Sequence, residues 1–114
     1  MSGPPAALRA FLGLYGTGEF WESHEVLEGP WRAVRSDFYH GLILYASAWV
    51  HWQRRNAHGV RAQLGKALAR LANLPDAYLG LDVEGIRVHC RVVIGLMQRG
   101  VPEWPNRIGP LVLR

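Results

Sequence analysis

The apolar residues of this chain recur at helical spacing over most of its length, which predicts a succession of five helices. Residues three and four apart share one face of an α-helix. The first apolar stripe contains Leu8, Phe11, Leu12 and Tyr15. Glycines break this stripe at residues 16–18, and Thr17 is the predicted N-cap of the second helix. Pro30 should end or kink the second helix, because proline lacks the amide hydrogen that a helix interior needs.

The third helix is the longest strongly apolar segment, and it is predicted to lie at the centre of the domain. Ser36 is its expected N-cap, reinforced by Asp37 in the first turn. Its apolar residues form one stripe of Phe38, Leu42, Tyr45, Trp49 and Trp52, and a second of Ile43, Ala46 and Val50. A helix that is apolar over most of its circumference is surrounded by other elements. Trp49 is expected in the core, whereas Trp52, near the helix end, is predicted to face outward.

Two further helices and a tail complete the predicted fold. Asn56 is the predicted cap of the fourth helix, which ends before Pro75, and Asp82 the cap of the fifth, which runs to Gly100. The predicted inward residues are Val60, Leu64, Ala67, Leu68 and Leu71, then Ile86, Val93, Ile94 and Met97. No alternating pattern predicts a strand. We therefore expect an all-α, single-domain helical bundle of about five helices over residues 1–100, without a sheet, and an extended proline-rich tail at residues 101–114.

The composition is that of one small globular domain. A chain of 114 residues can bury one core, and its five tryptophans, more typical of core residues than of a stacking platform, argue against disorder. No run approaches the roughly 18 apolar residues of a membrane helix, so no membrane partner is expected. The first ten residues lack the pattern of a signal peptide, which predicts a cytoplasmic protein. The single cysteine, Cys90, excludes an internal disulfide and is expected to be a small, buried or half-buried residue.

Charge is distributed unevenly along the chain. The formal net charge is +4, yet four of the nine acidic residues lie within ten positions, at Glu19, Glu22, Glu25 and Glu28. The remaining chain is rich in arginine. A basic surface permits nucleic-acid binding without establishing it. Arg54, Arg55, Arg61 and the arginines of the fifth helix are therefore one hypothetical nucleic-acid interface.

The acidic stretch "FWESHEVLEGPW" places ionisable groups among residues typical of a core. On a helical wheel, its buried stripe contains Phe20, Leu27 and Trp31. His24 and Glu28, four residues apart, share one edge of this stripe, and Glu25 can reach Glu28. We expect His24 and Glu28 to be at least half buried and to contact each other or a common partner. Replacing Glu28 with alanine should then cost a few kcal/mol.

A second polar line follows the less apolar edge of the central helix, through His40, Ser47 and His51. If this line faces the second helix, its histidines converge with the acidic stretch. The candidate polar or binding cluster then comprises His24, Glu25, Glu28, His40, His51 and Asp82. Histidine and carboxylate groups between helices can hold zinc, manganese or iron. His24, Glu28 and His51 are therefore candidate ligands of a divalent metal, although neither Glu-x-x-His on two helices nor His-Glu-x-x-His is present. No other cofactor is predicted.

The same residues have two other interpretations. His24, Glu25 and Glu28 are candidate catalytic residues of an acid/base hydrolase, since a histidine beside a carboxylate can act as a general base. The sequence supplies no serine or cysteine in a recognisable nucleophile context. Alternatively, His24 and Glu28 only stabilise their helix, as polar pairs four residues apart commonly do.

Four motifs resemble the domain of unknown function 309 family of bacteria and plastids. They are a Gly-Glu-aromatic-aromatic-Glu-x-His-Glu-x-Leu-Glu-x-x-Trp helix at residues 18–31, Gly-Leu-Ile at 41–43, an Asn-x-x-Gly segment at 56–64, and Gly-x-Asp at 80–82. The resemblance covers roughly residues 8–95 and implies a small all-helical bundle with no assigned activity. Two positions depart from the family pattern, which usually has glutamine where this chain has Leu44 and often where it has His40.

Three functional hypotheses remain open at this level. The first is a binding or interaction module that forms a homodimer or binds a protein partner, since large apolar side chains are numerous for so short a chain. The end of the central helix at Trp52 and the tail with Trp104 are its predicted contact regions. The second is a metal-dependent or acid/base hydrolase that uses His24, Glu25, Glu28 and His51. The third is a basic nucleic-acid-binding domain.

Overall fold

A computed structural model describes residues 4–98 and confirms an all-α fold of five helices. The helices are α1 (Ala6–Gly16), α2 (Phe20–Val34), α3 (Asp37–Gln53), α4 (Ala57–Leu71) and α5 (Val83–Gln98). The expectation of no sheet is wrong in one detail, because β1 (Ala77–Tyr78) and β2 (Leu81–Asp82) form a short antiparallel hairpin. Leu79 and Gly80 connect them with φ of 49° and 86°. Two successive positive φ values are the mark of a tight hairpin turn. Strands of two residues are too short to show alternation.

Side-chain caps start three of the helices at the predicted residues. The Ser36 hydroxyl accepts a hydrogen bond from the Tyr39 amide at 3.2 Å. The Asn56 side chain accepts one from the Gly59 amide at 3.1 Å, and Asp82 caps α5 through the Gly85 amide at 3.1 Å. Each cap satisfies an amide that has no partner within its own helix.

The boundaries of α2 differ from the prediction. Thr17 follows the end of α1, and its hydroxyl donates to the Glu19 carboxylate at 2.6 Å, while Glu19 itself precedes the first residue of α2. Pro30 lies inside α2, which continues to Val34 and ends where Arg35 adopts a left-handed conformation with φ of 51°. Burial of Leu27 before Pro30 and partial burial of Trp31 after it offset the one backbone hydrogen bond that the proline cannot make.

Helix α3 lies at the centre of the core and packs against both α2 and α4. Trp49 is fully buried as predicted, and Trp52 is partly buried against the core rather than facing outward. Two glycines allow α3 and α4 to approach closely. A β-carbon on Gly41 would lie 2.6 Å from the buried Leu71 side chain, and one on Gly59 would lie 2.5 Å from Cγ of the His51 ring.

One buried arginine holds the segment between α4 and α5. Arg87 is 5 % exposed, and its guanidinium donates to the Leu71 and Leu74 carbonyls at 2.8 and 2.9 Å. It also pairs with Asp76 at 2.5 Å and with Glu84 at 2.7 Å. A buried charge needs such partners. The hypothetical nucleic-acid interface includes the arginines of the fifth helix, and burial of Arg87 removes it from that set.

No helix within residues 4–98 has the length and apolar character needed to span a membrane. The predicted tail at residues 101–114, including Trp104, lies outside the described residues.

Candidate functional site

Helix α2, which carries the longest motif, has a buried face that supports the core. Phe20, Ser23 and Leu27 are buried on this face. The Ser23 hydroxyl donates to the Phe20 carbonyl at 2.8 Å, so this buried polar group is satisfied within its own helix. Phe20 packs edge-on against Tyr15 of α1, with their ring centroids 5.2 Å apart. These three motif residues therefore have a structural role.

The opposite side of α2 presents aromatic and acidic residues to solvent. We call Trp21, Glu22 and Glu25 the outer face of α2. The Trp21 side chain is 49 % exposed, and both glutamates are exposed. Within residues 4–98, neither glutamate has an ion-pair partner. The expectation that the tryptophans are core residues is therefore wrong for Trp21. Its position on the helical wheel, about 100° from the buried Phe20, indicated that Trp21 lies off the core face.

His24 supports the outer face from its flank. Its ring packs edge-on against the Trp21 indole, with centroids 4.7 Å apart. Its Nδ1 hydrogen-bonds to the Trp21 carbonyl oxygen at 2.5 Å. The hydrogen bond fixes the His24 ring on α2, and the ring contact places it against the Trp21 indole, about half of which stays accessible.

The predicted pairing of His24 with Glu28 does not appear among the contacts of the described residues. Both side chains are partly buried, as expected, but they have different partners. Glu28 lies 3.6 Å from Arg32, one helical turn further along, and its side chain is 35 % exposed. The expected buried His–Glu pair is thus replaced by a ring contact and a surface ion pair.

Two residues of the polar line of α3, Ser47 and His51, bond to α4 and its N-cap, whereas His40 contacts Trp31 of α2. The Ser47 hydroxyl accepts from the Gln63 amide at 3.1 Å, and the His51 ring accepts from the Asn56 amide at 3.1 Å. None of the contacts among residues 4–98 joins His24 to His40 or His51. The predicted convergence of His24, Glu28, His40 and His51 is therefore wrong. Within residues 4–98, no three histidine, cysteine, aspartate or glutamate side chains are placed to hold a metal ion.

His40 lies instead at an open groove between α3 and α4. The groove has a volume of about 530 Å³ and is lined by Asp37, His40, Leu44, Lys66, Ala69 and Arg70. The His40 ring also packs on Trp31 of α2, with centroids 4.6 Å apart. Burial and the Arg70 guanidinium lower the pKa of His40, which favours its neutral form. His40 and Leu44, the two departures from the family pattern, therefore share one groove with two cations that the sequence analysis did not identify.

A buried polar cluster in the core was also missed. The Tyr45 hydroxyl and His89 Nδ1 are hydrogen-bonded at 2.6 Å, and the Tyr15 ring stacks on Tyr45 at 6.0 Å. Burial raises the pKa of both tyrosines and lowers the pKa of His89, so all three are neutral near pH 7. Burial likewise raises the pKa of Cys90 to about 12. A buried thiol with that pKa is a poor nucleophile, as the sequence analysis expected for Cys90.

Most of the remaining motif residues have a conformational or packing role. Gly18 and Gly80 have φ of 82° and 86°, which other residues rarely adopt. Gly41 and Gly59 allow α3 and α4 to approach closely, as described above. Asp82 caps α5, and a β-carbon on Gly85 would lie 2.6 Å from the Asp82 carboxylate. The outer face of α2 is different, since its side chains neither pack in the core nor cap a helix.

The fold and this face define a small all-helical domain that presents an aromatic and acidic helix surface. Residues 8–63 match the model of a family described as Domain of unknown function (DUF309). This match confirms the resemblance to that family that the motifs indicated. The matched segment contains α1, α2, α3 and the first half of α4.

A longer relative is found in Aquifex aeolicus (strain VF5), described as "Uncharacterized protein". The two sequences are 30 % identical over 92 residues, which cover 77 % of this chain and 28 % of the relative. The chain therefore spans less than a third of the length of the curated relative that it matches.

Proposed function

We propose that this domain is an interaction module that binds an arginine- or lysine-rich segment of a partner protein on the outer face of α2. The observation that carries this proposal is the exposure of Trp21, Glu22 and Glu25 on the helix with the most specific motif. Core packing accounts for Phe20 and Leu27 of the same helix. Binding to a partner gives the outward-facing residues a role that stabilisation of the fold does not.

The chemistry of this face selects cations. The face of a tryptophan ring attracts ammonium and guanidinium groups, and arginine also stacks on it. Glu25 is four residues from Trp21 and Glu22 is three from Glu25, which places neighbouring side chains on adjacent turns. Carboxylates at these positions can accept charge-assisted hydrogen bonds from the same guanidinium. His24 restrains the indole beforehand, which reduces the entropy lost on binding.

The two other functional hypotheses have less support. The residues of the hydrolase hypothesis are distributed over separate contacts, since His51 lies against Asn56 and Gly59 at the start of α4 whereas Glu28 pairs with Arg32. A nucleic-acid interface loses the buried Arg87. The Aquifex relative, in which a matching segment is part of a much longer polypeptide, is consistent with a module that works alongside other domains.

The test is fluorescence anisotropy of a labelled, arginine-rich helical peptide titrated with the folded domain. Trp21→Ala should weaken binding about 5- to 30-fold, the equivalent of one desolvated cation–π contact. Trp21→Phe should retain part of the affinity. The double variant Glu22→Gln/Glu25→Gln should also bind more weakly and depend less on salt.

Asp37→Asn is the matched control, because Asp37 is an exposed acid on α3 that pairs with Arg70. Its affinity should stay close to that of the unmodified domain. Equal binding by the Trp21→Ala variant and the unmodified domain would exclude the outer face of α2 as the contact surface.

The homodimer and the cytoplasmic location stay predictions from the sequence. Sedimentation velocity tests the homodimer directly, since one species at the monomer mass would exclude it. Because Trp52 is partly buried against the core, we now favour a protein partner on α2 over a dimer through the end of α3.

A further inference from the structure

The α3–α4 groove is a second surface whose residues suggest a ligand, and it is separate from the outer face of α2. Its volume of about 530 Å³ falls in the range of small-molecule sites. Four of its lining residues are charged or titratable, and two, Leu44 and Ala69, are apolar. A groove with this lining suits a molecule that has one charged end and one apolar end.

Positive charge dominates at the rim of the groove. Arg70 is paired with Asp37 at 3.3 Å, and both side chains are more than half exposed. Lys66, one helical turn before Arg70, is exposed and has no acidic partner within residues 4–98. Asp37 and His40 belong to the first turn of α3, where the helix dipole adds positive potential. One carboxylate thus faces two cations and a helix N-terminus.

The wall beside these cations is apolar and aromatic. Leu44 is partly buried, one turn after His40 on α3. The His40 ring packs on the Trp31 ring, with centroids 4.6 Å apart. The Arg35 guanidinium lies over the Trp31 ring, 4.8 Å from its centroid. Leu44 and the His40 ring therefore form the apolar and aromatic side of the groove.

We propose that the α3–α4 groove binds a small organic anion, with its charged group at Lys66 and Arg70 and its apolar body against Leu44 and Ala69. Arg70 can exchange its exposed Asp37 partner for the ligand, because an exposed ion pair is worth at most about 1 kcal/mol. The site uses neither Trp21 nor Glu25, so this proposal can be tested independently of the proposed function.

The test is a titration of the folded domain, monitored by amide chemical shifts, with phenyl phosphate, benzoate and inorganic phosphate as probes. Phenyl phosphate should bind more tightly than inorganic phosphate, and its shifts should concentrate in the first two turns of α3 and the second half of α4. Comparison with benzoate tells whether the site prefers phosphate or carboxylate. Failure of both aromatic probes to shift these amides would overturn the proposal.

Two substitutions on α4 separate a built site from general attraction to a basic protein. Lys66→Ala should weaken phenyl phosphate binding about tenfold, as expected for loss of one charge-assisted contact. Arg61→Ala removes the same charge from an exposed position of the same helix that does not line the groove. It should change affinity less than about twofold. Equal losses in the two variants would mean nonspecific binding and would refute the site.

The apolar wall and His40 provide two further readouts. Leu44→Gln should weaken phenyl phosphate binding while leaving inorganic phosphate binding nearly unchanged, and an equal effect on both probes would contradict the proposed orientation. The groups facing His40 are Arg35, Asp37, Lys66 and Arg70. A bound anion among them should raise the pKa of His40, measured from its ring proton shifts. An unchanged value would place the anion elsewhere.

Discussion

Replacing Gly59 with alanine should destabilise the domain, whereas the same change at Gly65 of the same helix should stabilise it. The new β-carbon at position 59 would lie 2.5 Å from Cγ of His51 and 2.8 Å from Nδ2 of Asn56. Non-bonded heavy atoms normally approach to about 3.5–4.0 Å, so both the His51 ring and the Asn56 side chain must move, the ring by roughly 1 Å. At Gly65, nothing apart from its chain neighbours and the backbone of its own helix lies within 4 Å of the β-carbon position.

The magnitude follows from three opposing contributions. Overpacking costs about 1–3 kcal/mol, and displacement of Asn56 weakens the cap at the Gly59 amide, which is worth about 1 kcal/mol. Alanine in place of glycine inside a helix gains about 1 kcal/mol. We therefore expect Gly59→Ala to lose about 1–3 kcal/mol and Gly65→Ala to gain about 0.5–1 kcal/mol.

Urea denaturation followed by far-ultraviolet circular dichroism measures both changes. His51→Ala removes the side chain that collides, so adding Gly59→Ala to that variant should cost much less than it does alone. A Gly59→Ala variant as stable as Gly65→Ala would refute the assignment of this motif glycine to helix packing.

Three further outcomes are expected. Arg87→Met should lower the free energy of unfolding by about 2–4 kcal/mol, because it leaves two carbonyls of the α4–α5 segment without their donor; a loss below about 1 kcal/mol by urea denaturation would mean that water replaces the guanidinium. Glu28→Ala should cost less than about 0.5 kcal/mol in the same assay, since its partner Arg32 is exposed, in place of the larger cost expected from the sequence. Burial lowers the pKa of folded His89, so below about pH 6.5 the unfolded chain binds more protons than the folded chain, and stability falls as the pH falls. His89→Gln should reduce this pH dependence of the melting temperature. An unchanged pH dependence would mean that other groups cause it.

The sequence predicted those features of the fold that depend on neighbouring residues. The caps at Ser36, Asn56 and Asp82 are local, since each side chain bonds an amide three residues ahead. The buried stripe of α3 is equally local, because it follows from helical periodicity. Pro30 shows the limit of a local rule, as packing on both sides of it maintains a helix that the proline alone would end.

The arrangement of the candidate sites depends on which helix faces which, and periodicity does not supply that. Of the polar residues of α3, Ser47 and His51 bond to Gln63 of α4 and to its N-cap Asn56, while His40 packs on Trp31 and lines the α3–α4 groove instead of meeting His24. The acceptors of Arg87 are spread over residues 71–84, and no spacing rule connects them. The hydrogen-bonded side chains of Tyr45 and His89 are 44 positions apart, so local periodicity does not predict their contact.

The most direct test of the central claim is amide chemical-shift mapping of the folded domain during titration with the arginine-rich peptide. The proposed function predicts that the largest shifts fall on residues 20–26 of α2, together with the indole N–H of Trp21. It also predicts that the α3–α4 groove is unaffected by the peptide. Shifts centred on α4 or α5, with the Trp21 indole unchanged, would contradict an interaction module that binds through the outer face of α2.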